Sequence, residues 1–554
     1  MKKLMIPNGI PDPCVRRFVA PTRVVWTSGH GVSGAENLLR DDAAVCTLTP
    51  TGDASAPASI VLDFGAELHG GVRIDANATA THRPTRIRVR FGESVSECMG
   101  TPNQDHAIHD YDTVAAWMGR TEIGSTGFRF VRIDLLDTEA TLPLRFVDAV
   151  FKFRDLPYLG TFESSDARLN EIFRVGAYTV HLNLQEHVWD GIKRDRLVWI
   201  GDLHPEAMVV SCVFGGEQIV PATLDWARDH TPLGRWMNGI SSYSLWWIIT
   251  QRDWYNAQGD KAYLKEQTAY LTGLLKQVEK CVDGKGVEKL PEGRFLEWPT
   301  SDDKVAVHAG LQALTVLALQ AGAELCLAIG KYADAAQALA VAERAERAVI
   351  RPRSASKQAN ALLALAGMAD PGTTNREILA VDPFRGLSTF YGYYVLQARA
   401  LAGDHAGCLD LIRTYWGGMI DMGATTFWEG FEIDWMENAT RIDELPTPGK
   451  PDIHADFGGW CYPGLRHSLC HGWAAGPTAW LMEHVLGITP ASPGFGRVCI
   501  RPHLGGLEWA RGTYPTPHGL ITVEHRQCAD GTVATTLDLP GGVGLEPIGK
   551  TAVV

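Results

Sequence analysis

The hydrophobic period of this chain changes twice, from two to about 3.6 and back to two, and that bounds the folds open to it. Up to about residue 157 apolar residues alternate in short runs broken by Gly and Pro. Arg86-Ile-Arg-Val-Arg-Phe91 sets Ile87, Val89 and Phe91 on one face and three Arg on the other. Ser59–Gly65, Gly71–Asp75, Phe128–Ile133 and Arg145–Phe151 read as further short strands. This spacing predicts an N-terminal β-sandwich over residues 1–157, in which nothing marks a site. Near residue 160 the period lengthens. Ser164-Ser165-Asp166 offers an N-cap, and Leu169, Ile172, Phe173, Gly176 and Val180 follow at helical spacing. Val305–Ile329 carries the stripe Leu311, Leu314, Leu317, Ala321 and Leu325, and Gly330 stops it. Tyr332–Ile350 is its partner; Ser388–Ala402 and His405–Tyr415 form a second hairpin. Helical hairpins across residues 158–487 without a fixed short repeat predict a closed ring, an (α/α)6 barrel, rather than a solenoid. After Pro490, Val498–Pro502, Gly519–Glu524 and a hairpin through Asp530-Gly531 predict a small C-terminal β-sandwich domain over 488–554. The expected class is multidomain α + β, with the barrel flanked by the two β domains.

The 554 residues exceed one ordinary core. A net charge of −13 argues against nucleic acid and anionic membrane as partners, since either needs a basic face. It suits a neutral ligand such as a sugar. The 11 Cys are scattered, with no Cys-x-x-Cys and no zinc spacing, as for reduced thiols. Met1-Lys-Lys-Leu-Met-Ile-Pro7 begins like a signal sequence, but Pro7, Pro11 and Pro13 stand where an apolar stretch belongs. No apolar run of about 18 residues is read, hence no membrane helix. The expected location is the cytoplasm, or the periplasm or exterior if a precursor is trimmed. No metal or organic cofactor is called for, and the oligomeric state is not encoded.

Three loops have the composition of a sugar site: carboxyls for acid–base work and hydroxyl binding, beside aromatic walls. Asp190-Gly-Ile-Lys-Arg-Asp-Arg-Leu-Val-Trp-Ile-Gly-Asp202 packs three Asp around Lys193, Arg194, Arg196 and Trp199; a solvated charge run is the plain alternative. Phe295–Asp303 places Trp298 near Asp302 and Asp303, which serve equally well as helix caps. Asp421–Gly430 brings Trp428 and Glu429 on a turn of small residues, and a core has no use for an ionised Glu. His471, in Ser468-Leu-Cys-His-Gly-Trp473, is a fourth candidate against a structural histidine. Among the 17 Trp, Trp246-Trp247 and Trp254-Tyr255 either line the mouth or pack the core.

These residues resemble glycoside hydrolase family 78, the α-L-rhamnosidases. The family pattern of Asp, Arg-Glu or Arg-Asp, Trp and Gly-Asp is matched by Asp190, Arg194-Asp195, Trp199 and Gly201-Asp202. Its Gly-Ala-Thr-Thr-x-Trp-Glu is matched by Gly423–Glu429, its late barrel His by His471, and its C-terminal pattern by Pro493-Gly-Phe-Gly-Arg-Val-Cys-Ile-Arg-Pro502. Leu62-Asp-Phe-Gly and Gly127-Phe-Arg-Phe-Val-Arg are similar to its N-terminal β domain. The resemblance implies exo-acting, inverting release of L-rhamnose from a carbohydrate or rhamnosylated small molecule. Asp195 takes the general-acid place and Glu429 the general-base place. Asp190, Arg194, Trp199, Asp202, Trp247, Trp298, Trp428 and His471 are expected to bind substrate. Asp195 stands where many members have Glu, a variant one methylene shorter. The stretch from Glu429 to His471 is longer than usual, with an insertion at Leu445–Pro451. The competing readings are an inverting barrel glycosidase for another sugar, a non-catalytic carbohydrate binder, and a polysaccharide lyase; acid-rich loops argue against the last.

Overall fold

The computed structural model describes residues 12–40, 44–100, 109–291, 293–350, 354–456 and 464–547. The reading of Met1–Pro7 lies outside them. Among the described residues the N-terminal part is a nine-stranded sheet folded over its own apolar face. Its longest strand, Ser59–Ala76, pairs antiparallel with Gly119–Leu135, with Leu142–Phe153 and with Arg23–Thr27. The sequence reads two strands here, with Gly65 as a stop. The chain instead bends through register shifts at Asp63/Leu68 and Gly70/Val72, with Gly65 and Gly70 at φ +86 and +143. Glycine lets the strand bend and change partners where a side chain would be strained. Ile87, Val89 and Phe91 are buried as the alternation requires. The Arg face is not all solvent: Arg90 is buried, pairing with Asp110 at 3.2 Å and donating to the Glu97 carbonyl at 2.6 Å.

The helical middle begins at α1 (Ala167–Asn183), capped by Asp166 as its sequence predicts. Among the helices that follow are α2 (Leu203–Val209), α3 (Ser241–Gln258), α4 (Lys304–Ala328), α5 (Lys357–Leu365), α6 (Gly392–Leu401) and α7 (Gly476–Trp480). α2 packs on α3, α3 on α4, α4 on α5, α5 on α6, α6 on α7, and α7 returns to α2. Thr268–Glu279 and Tyr332–Glu346 lie against α4, and His405–Leu411 against α6. α4 corrects one expectation, for its 25 residues are long and apolar enough to cross a membrane. Here neighbouring helices cover it, and a helix buried in a core needs no polar face.

Two sheets follow. Trp509–Thr516, Gly519–Gln527 and Val533–Asp538 form antiparallel pairs, and Ile488–Pro490, Arg497–Ile500 and Gly544–Leu545 form a second sheet. The first gains an edge strand from far upstream, Thr161–Ser164, which pairs with Trp509–Thr516 before the helices begin. A four-residue strand with its partner some 350 residues away leaves no mark in local periodicity.

Trp246, Trp247 and Trp254 are core side chains. Trp246 stacks on Tyr394 at 4.7 Å, and Trp247 donates its indole N–H to the Leu224 carbonyl at 3.0 Å. Trp247→Ala opens a cavity and leaves that carbonyl without its donor. The expected loss is about 3–5 kcal/mol, read as a lowered midpoint of thermal unfolding; an unchanged midpoint would contradict the assignment of Trp247 to the core.

Candidate active site

The loop after α1 carries most of the candidate residues and is closed at its base. Asp190 N donates to the Leu197 carbonyl at 3.2 Å, and Leu197 N to Asp190 Oδ1 at 3.0 Å. Between them Asp195 and Arg196 both sit in the left-handed region, at φ 52 and 51. For residues with a Cβ this costs roughly 1–2 kcal/mol each, so the loop must be held from outside. The N-terminal sheet does this. Gly127 N donates to the Ile192 carbonyl at 2.7 Å, His109 Nε2 to the Lys193 carbonyl at 2.6 Å, and Arg196 Nη1 to the Ser125 carbonyl at 2.6 Å. A Cβ on Gly127 would stand 2.6 Å from Ile192 Cγ1, so only glycine allows the sheet this close.

Glu429 comes from the turn after Gly423. Its N–H donates to the Ser468 carbonyl at 3.0 Å, its Oε2 accepts from Ser468 N at 3.3 Å, and Arg194 Nη2 pairs with the same oxygen. Arg194 also approaches Asp195 Oδ2 with Nη1 at 3.4 Å and donates from Nε to the Arg466 carbonyl at 2.6 Å. One guanidinium thus bridges the two candidate carboxyls. Burial pushes the Glu429 carboxyl up, but Arg194 foremost, then His471 and the Ser468 N–H, outweigh it and hold the group below the usual carboxylate range. The side chain of Asp195 stands nearer solvent, 19% exposed.

Asp202 accepts from Tyr243 Oη at 3.2 Å and from His471 Nε2 at 3.3 Å. His471 is fixed by its backbone, donating to the Phe427 carbonyl at 2.9 Å, while Gly472 N donates to the Asp190 carbonyl at 2.9 Å. Burial opposes charge on His471, yet Asp202, Glu429 and Asp190 raise it above the ordinary imidazole value. Burial, with Asp202 adding to it against His471, pushes Asp190 up to about 8. Asp190 is then a neutral acid at pH 7, able to donate a hydrogen bond.

These groups enclose a cavity of about 310 Å³, the scale of one small ligand. Asp190, Arg194, Asp202, Tyr243, Glu429 and His471 form its polar floor. Trp199, Ile240, Phe295, Trp298 and Trp473 form an apolar wall, with Asp195 and Arg294 beside them.

Two segments of the chain are similar to known protein domains. Residues 157–356 match the family model of the bacterial α-L-rhamnosidase six-hairpin glycosidase domain, and residues 487–546 match the bacterial α-L-rhamnosidase C-terminal domain. Over these two segments the chain is similar to bacterial α-L-rhamnosidases. It is 22% identical over 526 residues to an α-L-rhamnosidase of Alteromonas sp. (strain LOR), covering 85% of this chain and 54% of that protein. The fold is similar to the family 78 rhamnosidase of Bacillus sp. GL1, with a TM-score of 0.72 and 21% identity over 92% of this chain and 56% of that one. It is also similar to a rhamnose-bound rhamnosidase from Klebsiella oxytoca, with a TM-score of 0.69 and 19% identity over 85% and 96% of the two chains. The chain spans about half the length of the curated relatives it matches.

Of the residues singled out in the sequence, Asp190, Arg194, Asp195, Trp199, Asp202, Trp298, Glu429 and His471 meet at the cavity. Two expected sugar contacts do not. Trp247 faces the core, as described. Trp428 is fully buried beside Phe431, at 5.9 Å, and its indole N–H has no partner among the described residues. Asp303 is a cap: its Oδ1 accepts from Val305 N and Ala306 N, each at 2.9 Å. Tyr243, Ile240, Arg294, Phe295 and Trp473 line the cavity unforeseen. Phe295 and Trp473 lay inside stretches already singled out; Tyr243 carried no signal, because its helix is buried on all sides from Ser241 to Gln251, polar and apolar residues alike.

Asp190 stays protonated in the folded chain up to about 8, whereas unfolded it ionises near 3.8. Between those values the unfolded state has released a proton that the folded state retains, so this group's contribution to stability falls as pH rises. Asp190→Asn lacks that term. Its unfolding midpoint, compared with wild type from roughly pH 4 to 8, should gain steadily; a constant difference across the range would show that Asp190 is not held neutral.

Proposed function

We propose that this chain is an exo-acting α-L-rhamnosidase that removes terminal L-rhamnose from α-L-rhamnosides by single-displacement inversion, on helices closed into an (α/α)6 barrel. The observation that carries the reading is the Arg194 bridge. It holds Asp195 and Glu429 across one guanidinium, over a cavity sized for a single sugar ring. Inversion needs one carboxyl to protonate the leaving oxygen and another, on the opposite face, to deprotonate water. Glu429 is suited to be the base, since Arg194 keeps it ionised in a buried place. Asp195 is suited to be the acid, because it stands on the more open side, where a leaving group departs. In the reaction Asp195 gives its proton to the glycosidic oxygen as that C–O bond breaks. Water adds at the anomeric carbon from the other face and passes a proton to Glu429.

The floor provides for the hydroxyls. Neutral Asp190 and charged His471 donate, Asp202 accepts or donates according to its proton, and Arg194 donates. Trp199, Phe295 and Trp298 give an apolar wall for the C5 methyl that rhamnose carries in place of a hydroxymethyl. The small volume of the cavity and its buried floor favour a terminal residue over an internal one.

With an aryl α-L-rhamnoside, wild type should turn over while Asp195→Asn and Glu429→Gln lose about 10²–10⁴ in kcat. NMR of the first product should show β-L-rhamnose. The α anomer appearing first would overturn inversion. Cleavage of an aryl glycoside of another sugar, with the rhamnoside left intact, would overturn the substrate. Full activity in either variant would overturn the assignment of its carboxyl.

A further inference from the structure

The residue beside the Arg194 bridge is a buried lysine that binds only protein. Lys193 Nζ is within 3.0 Å of Glu93 Oε2 and 3.3 Å of Glu97 Oε2, and donates to the carbonyls of Leu465 at 3.0 Å and His467 at 2.6 Å. All three charged side chains are 1% exposed or less. Both glutamates belong to the N-terminal sheet domain. They flank Ser94, whose side chain accepts from Glu97 N at 3.1 Å and caps the short helix Val95–Met99. Glu97 Oε2 accepts in turn from Glu93 N at 2.9 Å. This reciprocal capping aims two carboxyls at one point under the loop.

From that point the contacts run to both candidate catalytic carboxyls. On one side Lys193 is two residues from Asp195 in the left-handed turn. On the other it grips residues 465–467, and Glu93 Oε2 takes Leu469 N at 2.6 Å. Between these anchors His467 Nε2 accepts from Gly430 N at 3.3 Å, and Ser468 bonds the backbone and carboxyl of Glu429. Acid loop and base turn are therefore referred to the same ammonium group, which two carboxyls of another domain fix in place.

We propose that Lys193, held by Glu93 and Glu97, is a positioning residue that sets Asp195 against Glu429. The N-terminal sheet domain is on this account part of the catalytic apparatus. The proposal rests on the rhamnosidase reading above. Displacement of reacting groups by about 1 Å costs on the order of 10²-fold in rate. A displaced acid costs more when the leaving group needs its proton.

The test uses the full chain and two substrates, methyl α-L-rhamnoside, whose leaving group needs protonation, and 2,4-dinitrophenyl α-L-rhamnoside, whose leaving group does not. The readout is the ratio of their kcat values, which does not change with the fraction of folded enzyme. Lys193→Met should raise the dinitrophenyl-to-methyl ratio by at least about 10-fold, with the inhibition constant of free L-rhamnose within about 3-fold of wild type. Glu93→Gln and Glu97→Gln keep side-chain shape and should move the ratio the same way, by less. If Lys193→Met does not fold, these two decide. An unchanged ratio in every folded variant overturns the clamp. Wild type that cleaves neither rhamnoside overturns the function itself.

Discussion

Arg194, Lys193 and the carboxyls of Glu93, Glu97 and Glu429 beneath the cavity are almost wholly out of water, and that fact dictates how four distant pieces of chain meet. An uncompensated buried charge costs several kcal/mol, and removing one member of a buried pair typically costs about 3–5 kcal/mol. Arg194, Lys193 and Glu429 must therefore be satisfied completely by protein. Arg194 takes its partners from Asp195, Glu429 and the Arg466 carbonyl. Lys193 takes its own from Glu93, Glu97, Leu465 and His467. No one of these segments can be displaced without stranding a charge in another. The helices supply a rigid frame, but the loops are fixed by this mutual obligation.

The same burial gives chemically similar carboxyls different protonation states. Glu429 faces a guanidinium and is held ionised; Asp190 faces apolar walls and Asp202 and is held neutral. Differences of this kind are how a site runs acid and base steps at one pH. The left-handed turn at Asp195 and Arg196 belongs to the same economy of constraint. Its strain persists because Gly127, His109 and Ser125 hold the backbone on either side. It places Asp195 on the open side of the cavity, away from the buried floor.

The N-terminal β domain packs closely on the loops of the helical one. The Arg face of Thr85–Gly92, which local alternation would assign to solvent, abuts the helix that carries Glu97. The strand Thr161–Ser164 does the reverse service at the other end, tying the start of α1 to the C-terminal sheet. The helical middle is thus braced from both flanks.

By itself the sequence determined the order of sheet, helices and sheet, because burial of one face imposes a period that neighbouring residues display. It brought forward the helix cap at Asp166, since capping is a contact across two or three residues, and left Asp303 open between a cap and a ligand for the structure to decide. It also brought forward Asp190, Arg194, Asp195, Asp202, Glu429 and His471 through motifs whose spacing is read along the chain. Only the tertiary structure decided which aromatic residues face the cavity. Trp247 and Tyr243 lie one turn apart on one helix, and their depth depends on what packs against it. Only the tertiary structure decided that Glu93 and Glu97 reach Lys193, about a hundred residues away. Pairing of buried charges is a long-range condition, satisfied in three dimensions, and leaves no periodic trace in one.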